Sequence, residues 1–126
     1  MARSTQRSKR KPSGGRYHAA RTKRKFELAR YPANTGLDKE RKLKTIRIRG
    51  GSTKNVLLTV KEVNVSDGRG KTTKTDILNV IGNEANPNLV RRNIITKGAV
   101  VETKIGKVKI TSRPGQEGAV NGLLLG

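Results

Sequence analysis

Arg7, Lys9, Arg10, Lys11, Arg16, Arg21, Lys23, Arg24 and Lys25 crowd into residues 7–25, with Tyr17 and His18 between them. Cations at this density do one kind of chemistry well: they neutralise phosphates and release condensed counterions. Tyr17, His18 and Phe26 add flat rings able to stack on unpaired bases. Residues 1–25 hold ten Lys or Arg and no Asp or Glu. A protein core cannot take ten unpaired charges, because burying even one is costly. The segment therefore works against something else. The segment could also be a solubilising tail or a localisation signal; Lys9–Pro12 alone would serve as the latter, which needs neither the basic density continuing to Lys25 nor the aromatics.

Catalytic constellations are missing from the sequence. His18 is the single histidine, and there is no cysteine to act as nucleophile or thiolate ligand. No metal-ligand spacing occurs, and Asp38 and Glu40 alternate with Lys39 and Arg41 as in a solvated charge cluster. Asp67–Lys71, DGRGK, lacks the spacing and following helix of a phosphate-binding loop and reads as a hairpin turn. The expectation is a protein that is not an enzyme and needs no cofactor, metal or small-molecule substrate.

The whole chain of 126 residues carries a formal charge of +20, with a pI near 11.4. Such a charge predicts a polyanionic partner: nucleic acid, an anionic membrane or an acidic protein. Membrane binding needs an amphipathic apolar face, which residues 1–41 lack. No apolar run approaches a membrane span or a signal-peptide core. A chain this small without cysteine fits an intracellular setting.

Two kinds of element must position these cations. Residues 1–41 contribute +10, hold all three aromatics and have too few apolar residues for a core. They read as a basic extension that is disordered when free. Residues 19–30 can form a short helix ended by Pro32, kept marginal by repulsion among Arg21, Lys23, Arg24 and Lys25. Ser13–Gly15 reads as a tight bend. Residues 42–126 contribute the other +10 and hold 26 Val, Ile or Leu and no aromatic. Their short alternating runs predict a mainly β fold, a small barrel of about six short strands. The runs are 45–51, 55–65, 74–82, 94–103, 107–112 and 119–125.

Within the second run, Val56, Leu58 and Val60 share one face, and a phase shift to Val63 and Val65 predicts a bulge near Lys61–Glu62. Asn86 and Pro87 predict a capped helical turn over 86–93. Pro114–Gly115 suits a type II turn. Arg47 and Arg49 fall on the polar face of the first strand beside Gly50–Gly51 and Lys54, a candidate second phosphate-binding surface. Arg30 in the extension, and Arg91, Arg92, Lys97 and Arg113 in the barrel segment, complete the candidate RNA-binding set. A DNA-architectural protein with a flexible basic arm would look similar at this level.

Residues 9–30, KRKPSGGRYHAARTKRKFELAR, resemble the N-terminal signature of the archaeal and eukaryotic small-subunit ribosomal protein eight family ("S-eight-e"). RIRGG (47–51), NIITKGAVVET (93–103) and TSRPGQEGAVNG (111–122) resemble three further blocks of that family in collinear order. Thr103 to Ser112 runs without the long insertion of eukaryotic members, so the chain resembles the short archaeal form. The resemblance implies a structural constituent of the small ribosomal subunit in the cytoplasm. Its partners would be small-subunit rRNA and neighbouring ribosomal proteins, and its fold a small β-barrel with an N-terminal extension threaded into rRNA. One departure is Ala29, where the family usually has a glycine able to adopt a left-handed cap.

Overall fold

A computed structural model describes residues 7–125 and, nearer the N-terminus, the backbone of Arg3–Ser4. Residues up to Pro32 form one unit and residues from Ala33 another. This division falls ahead of the change in composition near residue 42.

In the first unit, strand β1 (Arg3–Ser4) pairs antiparallel with β2 (Leu28–Ala29). Ala29 is thus extended, and the left-handed cap that a glycine would permit there is not formed. The expected bend is present. Gly14 N–H donates to Lys11 O at 3.0 Å and Lys11 N–H donates to Gly15 O at 2.7 Å, with Gly14 at φ +86°. A left-handed residue after a tight turn is where glycine avoids the Cβ penalty. The turn brings Arg10 and Arg16 into a bridge. Where the composition allows a helix over 19–30, the structure has one 3-10 turn, Lys25–Glu27. Like charges on successive turns oppose a longer helix.

The second unit is built from aliphatic strands. β3 (Gly36–Leu37), β4 (Lys42–Arg47) and β5 (Thr53–Val60) form an open sheet in the order β3-β5-β4. The strands β6 (Glu62–Ser66), β7 (Thr72–Gly82), β8 (Val100–Thr103), β9 (Lys107–Ile110) and β10 (Asn121–Leu124) follow. They close a barrel in the order β10-β6-β7-β8-β9. The barrel therefore has five strands rather than six, and the remaining strands form the sheet beside it. All neighbouring barrel pairs are antiparallel except β10 with β6. The Asp67–Lys71 hairpin turn joins β6 and β7, with Asp67 N–H donating to Lys71 O at 2.9 Å.

The phase shift near Lys61 marks a corner, not a bulge within one strand. β5 ends at Val60 and β6 starts at Glu62, so the chain leaves the open sheet for the barrel at Lys61. Val60 and Val63 both reach the common core. That core joins Leu57, Val60, Val63, Val65, Ile77, Val80, Ile95, Ala99, Val101, Val108, Ile110 and Val120. Burying each of these side chains apart from Ala99 stabilises the fold by roughly 1.5–3 kcal/mol before entropy is counted.

Leu58 differs from its expected place: it is exposed, and Leu57 is buried instead. Both sides of β5 at Leu57 are covered. Thr35 Oγ1 donates to Leu57 O at 2.7 Å, and Leu57 N–H donates to Pro114 O at 3.0 Å. The capped turn is formed as a 3-10 segment, Pro87–Arg92, in which the Asn86 side chain accepts from Asn88 N–H. Pro114–Gly115 does make a turn, with Gln116 N–H donating to Arg113 O at 2.8 Å. It is not type II, because Gly115 lacks the positive φ that type demands.

Candidate nucleic-acid interface

The extension presents its cations outward. Arg7, Lys9, Arg10, Lys11, Arg16, Tyr17, His18, Arg21, Lys23, Arg24, Lys25 and Arg30 are all exposed. The bend organises some of them. Arg10 Nη1 donates to Gly14 O at 2.8 Å, which ties one guanidinium arm to the turn and leaves its other donors outward. Tyr17 gathers two more cations: Arg7 lies 4.0 Å from its ring centroid and Lys11 Nζ 5.5 Å. Each such contact contributes roughly 0.5–1 kcal/mol at an exposed site. Arg7, Lys9, Tyr17, His18, Arg21 and Lys23 border an open cleft of about 690 Å³ within this unit.

Arg21 is not a spare cation. Its guanidinium donates to both Glu27 carboxylate oxygens, at 2.6 and 3.2 Å. Glu27 Oε2 also accepts from Arg24 N–H at 2.9 Å. Glu27 is the sole acid among residues 1–37 and is buried. A buried carboxylate persists only where it is paired and hydrogen-bonded, so Glu27 holds the 3-10 turn that carries Lys25 and ties Arg21 and the Arg24 backbone to it. Sequence reasoning missed this role; the lone acid in a basic stretch was the available signal. Phe26 and Tyr31 stay largely exposed, so neither ring is consumed by a core.

In the second unit, β4 and β5 form a projecting ribbon. Arg47 ends β4, and Arg49 lies in the connecting 3-10 turn Arg49–Gly51, so the two do not alternate along one strand. Ile48 N–H donates to Ser52 O at 2.8 Å across this turn, and Gly50 and Gly51 have φ of +79° and +83°. Side chains larger than hydrogen would strain both positions. Arg47 and Arg49 are exposed at the tip.

Lys54 is half-buried, and its Nζ donates to Gln116 Oε1 at 2.6 Å. With the Leu57–Pro114 bond, this fastens the Arg113–Gly118 loop to the ribbon and brings exposed Arg113 to the same sheet. Arg41 Nη2 adds a bond to Gly118 O at 2.5 Å. Arg41, Lys44 and Gln116 thus belong to this region without having been singled out from sequence. Arg91 and Arg92 do not join it. Asn93 O accepts from Leu37 N–H at 3.2 Å, and Ile94 bridges Gly36, so they follow the β3 edge while β4 forms the other edge. Lys97 lies in a separate exposed turn before β8.

The distribution of ion pairs separates two kinds of surface. Asp76 is bound by Lys104 at 2.7 Å and Lys61 at 3.7 Å, and Glu62 by Lys74 at 2.5 Å. The Lys104 hydrogen bond, ahead of the other contributions, pulls the Asp76 carboxyl below the usual carboxylate value. Exposed pairs like these add little stability, yet they neutralise the β6–β7 wall. Among the described residues, no ion pair takes Arg49, Arg91, Arg92, Lys97 or Arg113. These five cations, all outside the strands, keep their charge unmatched by a carboxylate. The described residues hold no cluster of three or more potential metal ligands, and no helix long and apolar enough to cross a membrane.

The sequence model of the family described as ribosomal protein S8e matches residues 4–125. The chain belongs to the S8e family. Curated relatives agree in both length and content. The small ribosomal subunit protein eS8 of Methanobrevibacter smithii is 56% identical over 126 residues, covering 99% of this chain and 100% of the relative. The eS8 proteins of Methanocorpusculum labreanum and Methanococcus aeolicus are 51% and 48% identical, each over 119 residues and at least 93% of either chain. The S8e match takes in the basic unit as well as the barrel, and this S8e chain is mainly β with a closed barrel, as its sequence leads one to expect.

Proposed function

We propose that this chain is a structural constituent of the small ribosomal subunit, binding and stabilising folded rRNA through two basic surfaces. The supporting observation is the segregation of charge. Asp76 is matched by Lys61 and Lys104 and Glu62 by Lys74, while among the described residues Arg49, Arg91, Arg92 and Arg113 carry no ion pair. In this reading the barrel docks through Arg47, Arg49 and Arg113, with Lys54 holding the loop that carries Arg113. The arm, bounded at Pro32 because Thr35 and β3 pack in the second unit, then settles along RNA as Arg7, Lys9, Arg10, Lys11, Arg16, Lys23, Arg24, Lys25 and Arg30 meet phosphates. Tyr17 and His18 stack beside them. Arg91, Arg92 and Lys97 reach a second stretch of RNA from the other sheet edge.

Ordering a flexible arm costs roughly 1–2 kcal/mol per residue, so the arm takes up its final path on RNA, where counterion release offsets that cost. Recognition of this kind reads RNA shape and backbone more than base sequence. The setting is cytoplasmic, with neighbouring ribosomal proteins as further partners, and the role is architectural rather than catalytic.

The test is competition binding of the full chain to small-subunit rRNA against duplex DNA of equal phosphate content, across a salt series. Neutralising 6–10 phosphates gives a log–log slope of about −4 to −9. A preference for rRNA that survives high salt supports the proposal. Equal loss to both competitors would favour a DNA-architectural protein or a general RNA chaperone.

A further inference from the structure

The outer wall of the barrel over β7, β8, β9 and β10 has a different character from the basic turns. β7 carries two bulges against β8. Ile77 and Asn79 face Thr103 and Glu102, so Leu78 is extra; Val80 and Gly82 face Val101 and Val100, so Ile81 is extra. Bulges re-aim side chains, and here both inserted residues are aliphatic and outward, Leu78 at 54% and Ile81 at 44% exposure. The register extends the strip across the barrel. Val100 lies opposite Lys109, and Lys109 opposite Leu123, which is 50% exposed. Leu125 N–H donates to Lys107 O at 2.8 Å, which sets exposed Leu125 beside Lys107. Three strand spacings make the strip about 14 Å wide.

We propose that this wall is a docking surface for a neighbouring protein segment with an apolar ridge flanked by carboxylates; this deepens the ribosomal reading above and rests on it. Three observations select that occupant. Phosphates gain nothing from burying Leu78, Ile81 and Leu123, and Glu102 lies opposite Lys107 on the same wall. A second copy of this chain is disfavoured, because two molecules of charge +20 repel. Lys107 and Lys109 lie within the aliphatic strip. Their stems extend the apolar surface while their ammonium groups take a carboxylate from the partner.

The experiment compares full-length wild type with Leu123→Ser and Lys109→Glu in two settings. The first is naked small-subunit rRNA. The second is the small subunit reconstituted from that rRNA and total small-subunit proteins. Each variant is first checked to melt like wild type, since both positions are exposed. Leu123→Ser should bind naked rRNA as wild type does, yet leave the reconstituted subunit at least tenfold faster. Lys109→Glu should release faster still, relative to its own loss on naked rRNA.

Wild-type release of Leu123→Ser from the subunit overturns the inference. So does an equal loss on naked rRNA, which would make the wall an RNA face. A wild-type dimer that Leu123→Ser dissociates would assign the wall to self-association and overturn it equally. Failure of wild type to enter the subunit at all would remove the ribosomal reading itself, and this inference with it.

Discussion

Gly122 sits at an inward position of β10, the strand that closes the barrel, paired with Val65 on β6 and Ile110 on β9. An added Cβ there would overlap Val108 Cγ1 and come within 3.0 Å of Lys109 O. Carbon contacts want about 3.5–4.0 Å. Val108 is fully buried and the second obstacle is backbone, so neither can swing away. Overpacking of this kind costs about 1–3 kcal/mol, and the upper end applies because shifting β10 disturbs its pairing on both sides. Replacing a strand glycine returns roughly 0.5–1 kcal/mol of backbone entropy. Gly122→Ala should therefore destabilise the barrel by about 2 kcal/mol. For a unit of this size each kcal/mol moves Tm by about 4–8 °C, so the midpoint should fall by about 8–16 °C. Thermal unfolding of the full chain by circular dichroism reads this directly. Gly82→Ala is the control: no atom lies within 4 Å of its added Cβ, so its Tm should hold or rise slightly. An unchanged or raised Tm for Gly122→Ala would refute the inward placement of β10.

Three further outcomes follow from the charges. Glu27→Gln removes the charge that binds Arg21, which is itself half exposed; with solvent screening the loss is about 1 kcal/mol, seen as roughly fivefold faster exchange of the Arg24 amide. Asp76 has its carboxyl depressed chiefly by Lys104. Its contribution to stability is present above the unfolded value of about 3.9 and fades as pH falls through the folded value. Urea midpoints measured from pH 7 down to pH 2 should fall less steeply in Asp76→Asn than in wild type. Arg49→Gln and Arg113→Gln should each reduce the steepness of the rRNA salt slope by about 0.7–0.9. Stability should stay within about 0.5 kcal/mol of wild type, and an unchanged slope would remove that residue from the interface.

Much of this molecule was legible in the order of its residues. Local chemistry was enough to find the bend at Ser13–Gly15, the Asn86–Pro87 cap, the Asp67–Lys71 hairpin turn and the mainly β character of residues 42–126. Turns, caps and alternation depend on neighbours a few positions away, so a single sequence records them. The excess of positive charge is likewise a property of composition alone. What tertiary structure decided depends on partners far apart in the chain. The shift in phase at Lys61 is visible in the sequence, but only strand pairing shows that it carries the chain from an open sheet into a barrel. Leu57 rather than Leu58 is buried because its side chain faces the common core with Ile95, Val101 and Val120, distant in sequence. The same holds for charge. Lys61, Lys74 and Lys104 look in sequence like any other cations, and Arg21 looks like a phosphate ligand. Whether each meets a carboxylate is set by where Asp76, Glu62 and Glu27 arrive once the chain has folded, because opposite charges a few ångströms apart offset one another and a cation with no carboxylate that near keeps its field.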